Sequence, residues 1–466
     1  MHIKQADINN DPGLSDVNNT VTKFDKALKK LRNDYFLNDK LDAIVIAGDL
    51  TQDGKVVEYQ EFNRIIASVF PSADVFGANY DKNAVVGGEK LLPILFIRGN
   101  HDNYPTNNNA AGKANYDANM TPKHSGNISD YREGGLYTYN IKGYDFIMVS
   151  QPNSAGNGVN GNLYDTASKS FTNAQVSAAI ASNGSVNPIF LVTHPHMANT
   201  VYGSRSIAEG QYQGQSWGTS ELSQYLAPYK NIVTFSGHSH YPILDERSIS
   251  QDGGFTAIGT GSVNYMEVDT GYAESFHPTR YSLNYYSESN GLYIEVFDDN
   301  TTEVKRIDFL RGEYYKDGAK WEIKAANDPS WRTFTLSRDQ EAPAFTAGAV
   351  PVISNITSNN CKVTFPQASD VKSDVDRYLI QYVRLSDNAV ITSRVIWSHH
   401  FNGSSMPAEL YWTLGDGTDN TGDTSTLKGY CEKLSSNTEY LVRVTAIDSF
   451  GNNSTPIISD SFTTTN

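Results

Sequence analysis

Four short polar clusters in the first half of the sequence contain the residue types that bind metal ions and transfer protons. In chain order they are Gly48-Asp49, Gly99-Asn100-His101-Asp102, the pair His194 and His196, and Gly237-His238-Ser239-His240. A carboxylate that bridges two divalent cations, with amide and imidazole ligands around it, can clamp a phosphoryl group and lower the pKa of a water molecule. An imidazole beside such a clamp can protonate a leaving oxygen. Together the clusters predict a site for metal-assisted phosphoryl chemistry.

Each cluster has a structural alternative when it is considered alone. A single Asp after Gly is usually a turn residue or a helix cap, and the Gly-Asn-His-Asp turn can be held together by its own hydrogen bonds. The spacing of His238 and His240 places both rings on one side of an extended segment, which suits two neighbouring ions or one shared ion. The chemical interpretation is favoured because all the clusters follow apolar runs in one region of the chain.

The apolar runs before these clusters predict the elements that position them. Continuous apolar runs at 43–47, 92–97, 189–193 and 232–236 are typical of parallel strands that are buried on both faces. Apolar residues at helical spacing predict helices over 19–31 and 59–69. Ligands of open α/β sheets bind outside the carboxyl ends of the strands, so we expect the polar clusters to converge on one site.

Length and a change of composition predict two domains. A chain of 466 residues exceeds what one hydrophobic core usually organises. We assign 1–340 to an α/β domain and 341–466 to an all-β domain, because short apolar runs separated by Asn, Ser, Asp and Gly follow the segment Gln340-Glu341-Ala342-Pro343. The second region has the size of an immunoglobulin-like sandwich, about 100 residues, and resembles fibronectin type III modules over 434–452.

Composition argues against several classes of partner. The 37 Lys and Arg against 52 Asp and Glu give a net charge of -15, which repels nucleic acids and anionic membranes, so no nucleic-acid partner is expected. No run approaches the roughly 18 apolar residues of a membrane span. With only Cys361 and Cys431, a disulfide-dense scaffold is excluded; we favour two buried thiols, and a disulfide is the alternative. Richness in Asn, Ser, Thr, Gly and Tyr suits a secreted or cell-surface bacterial protein, with a cytoplasmic location as the alternative.

The order Gly-Asp, Gly-Asn-His-Asp, His, Gly-His-X-His resembles the calcineurin-like metallophosphoesterase superfamily over about 1–267. The resemblance implies a four-layer α/β/β/α sandwich with two divalent ions, Mn, Zn or Fe, at the strand ends. It implies that His101 is the general acid and that Asp102 orients it. His194 is preferred to His196 because the ligand of the family directly follows the strand. The metal ligands that the resemblance implies are Asp49, which bridges the ions, Asn100, His194, His238 and His240.

The first motif of the family, Asp-X-His after a hydrophobic strand, is absent in its usual form. Either Asp7-Ile8-Asn9 is that motif with Asn replacing His, or Met1-His2 is the tail of an Asp-Met-His motif whose strand is missing. We favour the second interpretation because 3–6 is a poor buried strand, and His2 is then a ligand of the metal that also binds His240. Gln52 stands where purple acid phosphatases carry a tyrosine iron ligand, so no purple Fe(III) site is expected.

The predicted function is hydrolysis of a small phosphate mono- or diester by a water molecule that two metal ions activate, with His101 as the general acid. The alternative is a non-catalytic cell-surface binding protein on a degenerate phosphoesterase scaffold. In either case the all-β domain is expected to act as a spacer or to bind a cell-surface ligand.

Overall fold

The computed structural model describes residues 1–9, 19–71, 73–74, 85–86, 89–104, 109–120, 128–132, 134–155, 163–204, 217–272, 281–285, 288–398, 407–415 and 433–466. Within these ranges the α-helices are α1 (Gln5–Asn9), α2 (Thr20–Asp34), α3 (Val56–Val69), α4 (Asn109–Met120), α5 (Thr166–Asn183) and α6 (Ser223–Leu226). Short 3-10 segments occur at Phe36–Asn38, His101–Asn103, Glu246–Ser248, Tyr315–Gly318 and Leu336–Arg338. None of these helices combines the length and the apolar character that crossing a membrane requires.

The N-terminal segment contacts and stabilises the start of helix α2. The Asn19 side chain accepts hydrogen bonds from the backbone N–H groups of Val21 and Thr22, which caps the helix. One carboxylate oxygen of Asp7 accepts hydrogen bonds from the backbone N–H and the hydroxyl of Thr20, at 2.9 and 2.6 Å. Asp7 therefore stabilises the start of α2, and Asn9 is exposed, so the structure does not bring the Asp7-Ile8-Asn9 segment to the predicted metal site.

The strands of the first 340 residues form several sheets in the described part of the chain. They are β1 (Ile44–Ile46), β2 (Ala73–Asp74), β3 (Val85–Val86), β4 (Glu89–Lys90), β5 (Leu92–Phe96), β6 (Ile128–Arg132), β7 (Leu136–Ile141), β8 (Tyr144–Val149), β9 (Ile189–Thr193), β10 (His196–Met197), β11 (Gly218–Thr219), β12 (Ile232–Ser236), β13 (Ile249–Ser250), β14 (Thr256–Gly259), β15 (Met266–Tyr272), β16 (Tyr281–Tyr285), β17 (Asn290–Val296), β18 (Thr302–Asp308), β19 (Glu313–Tyr314) and β20 (Lys320–Ile323).

Two sheets carry the strands that the apolar runs predict. One is a parallel sheet in the order β1-β5-β2, and the other has seven strands in the order β13-β14-β12-β9-β8-β7-β6. The central strands β8, β9, β12 and β14 of the larger sheet run parallel to one another, and the flanking strands β7 and β13 pair antiparallel with β8 and β14. A third sheet is antiparallel and joins β17, β19 and β20 to β18. The predicted strands are therefore present, but they divide between two sheets whose carboxyl ends meet.

Strand β1 differs from the prediction of a strand buried on both faces. Among the described residues β1 pairs with β5 alone, and Val45 and Ile46 are only half-buried, whereas β5, β9 and β12 are buried throughout. The free edges of β1 and β17 line one cavity of about 740 Å³, with Phe146 and Phe190 also in its wall. Among the described residues, one edge of β1 is therefore left uncovered beside this cavity.

The last 126 residues form a β-rich region with several sheets in the described part of the chain. Its strands are β21 (Val352–Ser354), β22 (Lys362–Pro366), β23 (Val375–Arg384), β24 (Ala389–Trp397), β25 (Glu409–Thr413), β26 (Glu439–Asp448), β27 (Ile457–Ile458) and β28 (Phe462–Thr463). One sheet has the order β16-β15-β24-β23-β26-β27, with β28 also on β26, and the other has the order β21-β22-β25. Burial alternates along β26, as expected for a strand with one face in a core.

This region is joined to the first by strand pairing and by buried charges. Strand β15 pairs with β24, so two strands that precede residue 340 extend the C-terminal sheet. The Arg247 guanidinium lies 2.5 Å from one Asp245 carboxylate oxygen and 2.8 Å from one of Asp376, and all three residues are almost fully buried. The Ser449 hydroxyl donates to Asp245 at 3.0 Å. Cys361 is a buried free thiol, and Cys431 lies outside the described residues.

Candidate metal centre

The backbone holds the predicted ligands in an unusual conformation. His2, Asp49, His238 and His240 have φ values of 60, 50, 68 and 56°, in the left-handed region that residues other than Gly rarely adopt. Such residues store about 1–3 kcal/mol of strain each and concentrate at functional sites. Because these four residues come from three separate segments and meet at one place, the strain indicates a shared functional constraint.

Two glycines allow the segments to approach each other. A Cβ atom on Gly48 would lie 2.5 Å from Nδ1 of His194, and one on Gly99 would lie 2.2 Å from Oδ1 of Asp49. Both separations are far below van der Waals contact. The glycines of the Gly-Asp and Gly-Asn-His-Asp clusters are therefore required by the packing of the site itself.

The first group of ligand atoms surrounds His194. Nδ1 of His194 donates to the backbone carbonyl of Ala47 at 2.8 Å, which leaves Nε2 without a proton in the neutral ring. That Nε2 lies 3.0 Å from Oδ2 of Asp49, 3.0 Å from Oδ1 of Asn100 and 3.1 Å from Nδ1 of His238. Lone pairs at these distances repel one another unless a proton or a metal cation lies among them. The arrangement fits a divalent ion with nitrogen and oxygen ligands.

The second group of ligand atoms is formed by His2, His240 and the same carboxylate. Nε2 of His2 lies 3.0 Å from Nε2 of His240 and 3.4 Å from Oδ2 of Asp49. Nδ1 of each ring is buried without a hydrogen-bond partner. Burial lowers the pKa of both imidazoles well below its ordinary value, which favours the neutral form that binds metals. His2 thus lies where the second interpretation of the first motif predicts a ligand.

Asp49 belongs to both groups. Burial alone would raise its pKa, but His194, His101 and His2 hold that pKa well below the ordinary value, so the carboxylate is ionised. Its Oδ1 also accepts the backbone N–H of His101 at 2.9 Å. A buried carboxylate shared by two sets of imidazoles has the geometry of a bridging ligand.

The His101 ring lies beside the second group of ligand atoms, where one hydrogen bond and two ring contacts fix its orientation. Its Nδ1 donates to the backbone carbonyl of Gln52 at 2.8 Å. The ring centroid lies 4.4 Å from that of His2 on one side and 4.4 Å from that of Tyr104 on another. Nε2 is left to face the site, which suits a proton donor.

The hydrogen bonds of the Asp102 carboxylate join two loops of the candidate site. Its Oδ1 accepts the N–H and the hydroxyl of Thr51 at 3.0 and 2.7 Å, and its Oδ2 accepts the N–H groups of Leu50 and Gly99 at 3.2 and 2.9 Å. In the described structure its oxygens therefore accept hydrogen bonds from backbone N–H groups, Thr51 and Tyr59, and none from the His101 ring. Asp102 thus connects the two loops that carry the candidate ligands, while the Gln52 carbonyl accepts the hydrogen bond from His101.

Comparison with known proteins agrees with this geometry. Residues 11–242 match the family model described as calcineurin-like phosphoesterase. The chain belongs to the calcineurin-like phosphoesterase family. No curated protein sequence matches the chain of this phosphoesterase.

Solved structures were also compared with the phosphoesterase. A titin module, A71 from human cardiac muscle, is 19% identical, with 26% of this chain and 89% of that chain covered and a TM-score of 0.15. A segment of two fibronectin type III domains from chicken tenascin is 14% identical, with 42% and 84% covered and a TM-score of 0.16. At these TM-scores the likeness carries no argument about the fold.

His196 of the phosphoesterase lies outside both ligand groups. Its Nδ1 is 2.6 Å from the Ser236 hydroxyl and its Nε2 is 2.5 Å from the Ser239 hydroxyl. Burial lowers its pKa to about 3, so the ring is neutral and bridges two serines. This is a structural role, and the choice of His194 over His196 as the candidate ligand agrees with the geometry.

Aromatic residues of the phosphoesterase that no sequence motif marks enclose the site. The ring centroid of Tyr265 lies 4.4 Å from that of His240, and the indole of Trp217 lies 5.1 Å from the ring of His238. Tyr104 accepts a hydrogen bond from the Asn100 amide at 2.8 Å, which turns the Asn100 oxygen towards His194. Single aromatic residues that are far apart in sequence form no motif that would identify them as part of the site. Only the fold brings them together.

Proposed function

We propose that the protein hydrolyses small phosphate mono- or diesters with two divalent ions, Mn, Zn or Fe. One ion would be held by Asp49, Asn100, His194 and His238, and the other by His2, Asp49 and His240. When bound, two such ions supply Lewis acidity towards a phosphoryl group and lower the pKa of a water molecule. The observation that supports the proposal most is the single Asp49 oxygen that lies 3.0 Å from one imidazole and 3.4 Å from the other.

His101 is the proposed general acid. Its Nδ1 proton is held by the Gln52 carbonyl, so a second proton on Nε2 is the one available to a leaving oxygen. Contacts with His2 and Tyr104 restrict rotation of the ring, which keeps Nε2 directed at the site. The aromatic wall at Trp217 and Tyr265 limits the access of bulk water.

The test is metal-dependent turnover of two model esters. The protein is stripped with a chelator, reloaded separately with Mn, Zn or Fe, and assayed with p-nitrophenyl phosphate and bis(p-nitrophenyl) phosphate, with bound metal measured in parallel. About two ions per chain with turnover that depends on them would support the proposal, and the preferred ester would identify a mono- or diesterase. Protein that binds two ions and hydrolyses neither ester would favour the non-catalytic binding protein.

We propose a finer description of the architecture as well. The N-terminal sheets and their helices would form a four-layer α/β/β/α sandwich, and residues 341–466 an immunoglobulin or fibronectin III-like sandwich. The alternating burial of β26 and the helix packing of α2 against α3 support this division. Composition supports a secreted or cell-surface location.

The same proposal includes an apolar polypeptide strand in the cavity between β1 and β17. Both strand edges are open to it among the described residues, its walls include Phe146 and Phe190 beside polar residues, and Asp49, His194 and His240 also line it. A strand there would join the β1 sheet to the β17 sheet, and a carboxylate at its end would add a ligand near His240.

Binding of a synthetic peptide tests whether a strand occupies the cavity between β1 and β17. A peptide of about six residues, Val- and Ile-rich with a C-terminal Asp and a Lys-rich N-terminal tail, is expected to raise the melting temperature by about 5–10 °C at saturation. The matched peptide with a central Pro, which cannot donate to the ladder, should have no effect. Equal shifts with both peptides, or none with either, would contradict the strand.

A further inference from the structure

Three aspartates far from the candidate metal centre converge beside the boundary between the two regions. Asp339 precedes the C-terminal region, Asp370 follows β22, and Asp448 is the last residue of β26. Each offers a carboxylate oxygen within 4.8 Å of the others. Backbone bridges between Ala344 and Ser369 and between Ile447 and Asn453 lie next to the cluster. The three residues thus come from separate segments that the fold holds together.

Two of the carboxylates present a buried oxygen that nothing satisfies. Oδ1 of Asp339 accepts the Glu341 N–H at 2.9 Å, and Oδ1 of Asp370 accepts the N–H groups of Lys372 and Ser373 at 2.8 and 2.7 Å. The second oxygen, Oδ2, of both Asp339 and Asp370 is buried without a hydrogen-bond partner. The Asp339 residue is only 2% exposed, so its carboxylate is shielded from bulk solvent.

The third carboxylate is oriented in a similar way. Oδ1 of Asp448 accepts the N–H groups of Phe450 and Asn452 at 2.9 and 2.8 Å, and Oδ2 accepts the Asn452 side-chain amide at 2.7 Å. Oδ2, which accepts a single hydrogen bond, keeps a lone pair for another partner.

No ion pair neutralises the cluster within the described ranges. The closest lysine in sequence, Lys372, pairs with Glu341 at 2.6 Å, and both of these side chains are half exposed. Arg338 donates to the backbone carbonyl of Ile249 at 3.3 Å, and its guanidinium packs on the Phe450 ring at 4.9 Å. Buried carboxylates are normally paired with a cationic side chain or coordinate a metal ion. A bound metal ion would supply the missing positive charge.

We propose that Asp339, Asp370 and Asp448 bind a calcium ion. Carboxylate oxygens without imidazole or thiolate select hard cations, and Ca²⁺ accepts irregular sets of 6–8 oxygens in which backbone carbonyls and water complete the shell. Mg²⁺ requires a near-ideal octahedron and releases its water reluctantly, so it fits three converging buried carboxylates less well. The ion would tie the segment at residue 339 to two loops of the C-terminal sheet.

Thermal unfolding of the full chain with and without calcium tests the proposal. In excess chelator selective for Ca²⁺, Asp370→Asn is expected to melt at or above the wild-type temperature, because one of three repelling charges is removed. In 1 mM Ca²⁺ the wild type should gain about 5 °C or more, and the variant should gain nothing. The exposed Asp460→Asn is the matched control and should respond like the wild type.

Isothermal titration with CaCl₂ supplies the second readout. Saturable binding that disappears in Asp370→Asn and persists in Asp460→Asn is expected. Wild-type protein without calcium heat or a melting shift would overturn the site. So would an Asp370→Asn variant that is destabilised equally with and without calcium, because its carboxylate would then serve the fold alone.

Discussion

Asp49→Asn is expected to lower phosphoester hydrolysis by about 1,000-fold or more, equivalent to about 4 kcal/mol in the activation barrier. The amide can still accept the backbone N–H of His101, but it cannot provide a negative charge to both ligand groups. We expect the variant to lose at least one ion per chain. The measurement is metal content by elemental analysis together with kcat/KM for the preferred nitrophenyl ester.

The control for this variant is Asp53→Asn. Asp53 lies four residues further on, is partly exposed and pairs with Lys55 rather than with any predicted ligand. The Asp53→Asn variant should retain its bound ions and the wild-type kcat/KM. If Asp49→Asn kept both ions and wild-type turnover, the bridging role of Asp49, and with it the proposed two-ion centre, would be rejected.

His101→Gln is expected to lower kcat by about 100- to 10,000-fold while both ions stay bound. The reason is that His101 lies beside the ligand atoms without being in either group, so its loss removes a proton donor rather than a ligand. A leaving group that is already acidic needs little protonation. The loss should therefore be larger for an alkyl phosphate than for a nitrophenyl phosphate, measured with purified variants of equal metal content.

Asp102→Asn is the comparison that separates two interpretations of this site. If Asp102 oriented the His101 ring, this variant would show the same dependence on the leaving group as His101→Gln. The structure instead has Asp102 bound to backbone N–H groups and Thr51, so lower thermal stability with an unchanged leaving-group dependence is expected. A uniform rate loss for all esters in His101→Gln would count against general acid catalysis.

The sequence predicts the strands of the site well and their arrangement less well. The runs 189–193 and 232–236 coincide with β9 and β12, because short runs of mainly apolar, β-branched and aromatic residues favour a strand that is covered on both faces. The meeting of the four clusters follows from the rule that ligands gather at strand ends. That rule does not indicate that β1 and β5 lie in another sheet than β9 and β12, since sheet membership depends on long-range pairing.

Other features depend on contacts that no local pattern encodes. The Gln52 carbonyl that orients His101 is a backbone atom, which every residue possesses. Asp339, Asp370 and Asp448 each resemble an ordinary turn residue until the fold brings them within reach of one another. The half-exposed apolar residues of β1 are a different case. Their local sequence is that of a core strand, but the cavity beside them leaves one edge of the strand uncovered.

The buried ion pairs of Arg247 with Asp245 and Asp376 couple the unfolding of the two halves of the molecule. Separating them would break the buried ion pair between Arg247 and Asp376, leaving Asp376 with Arg377 alone and Arg247 with Asp245 alone. The halves should therefore unfold in a single calorimetric endotherm, and divalent ions bound near Asp49 should raise the melting temperature of the C-terminal sheet as well. Two separate endotherms would show independent halves. A C-terminal region coupled in this way is a structural part of the enzyme rather than a detachable appendage.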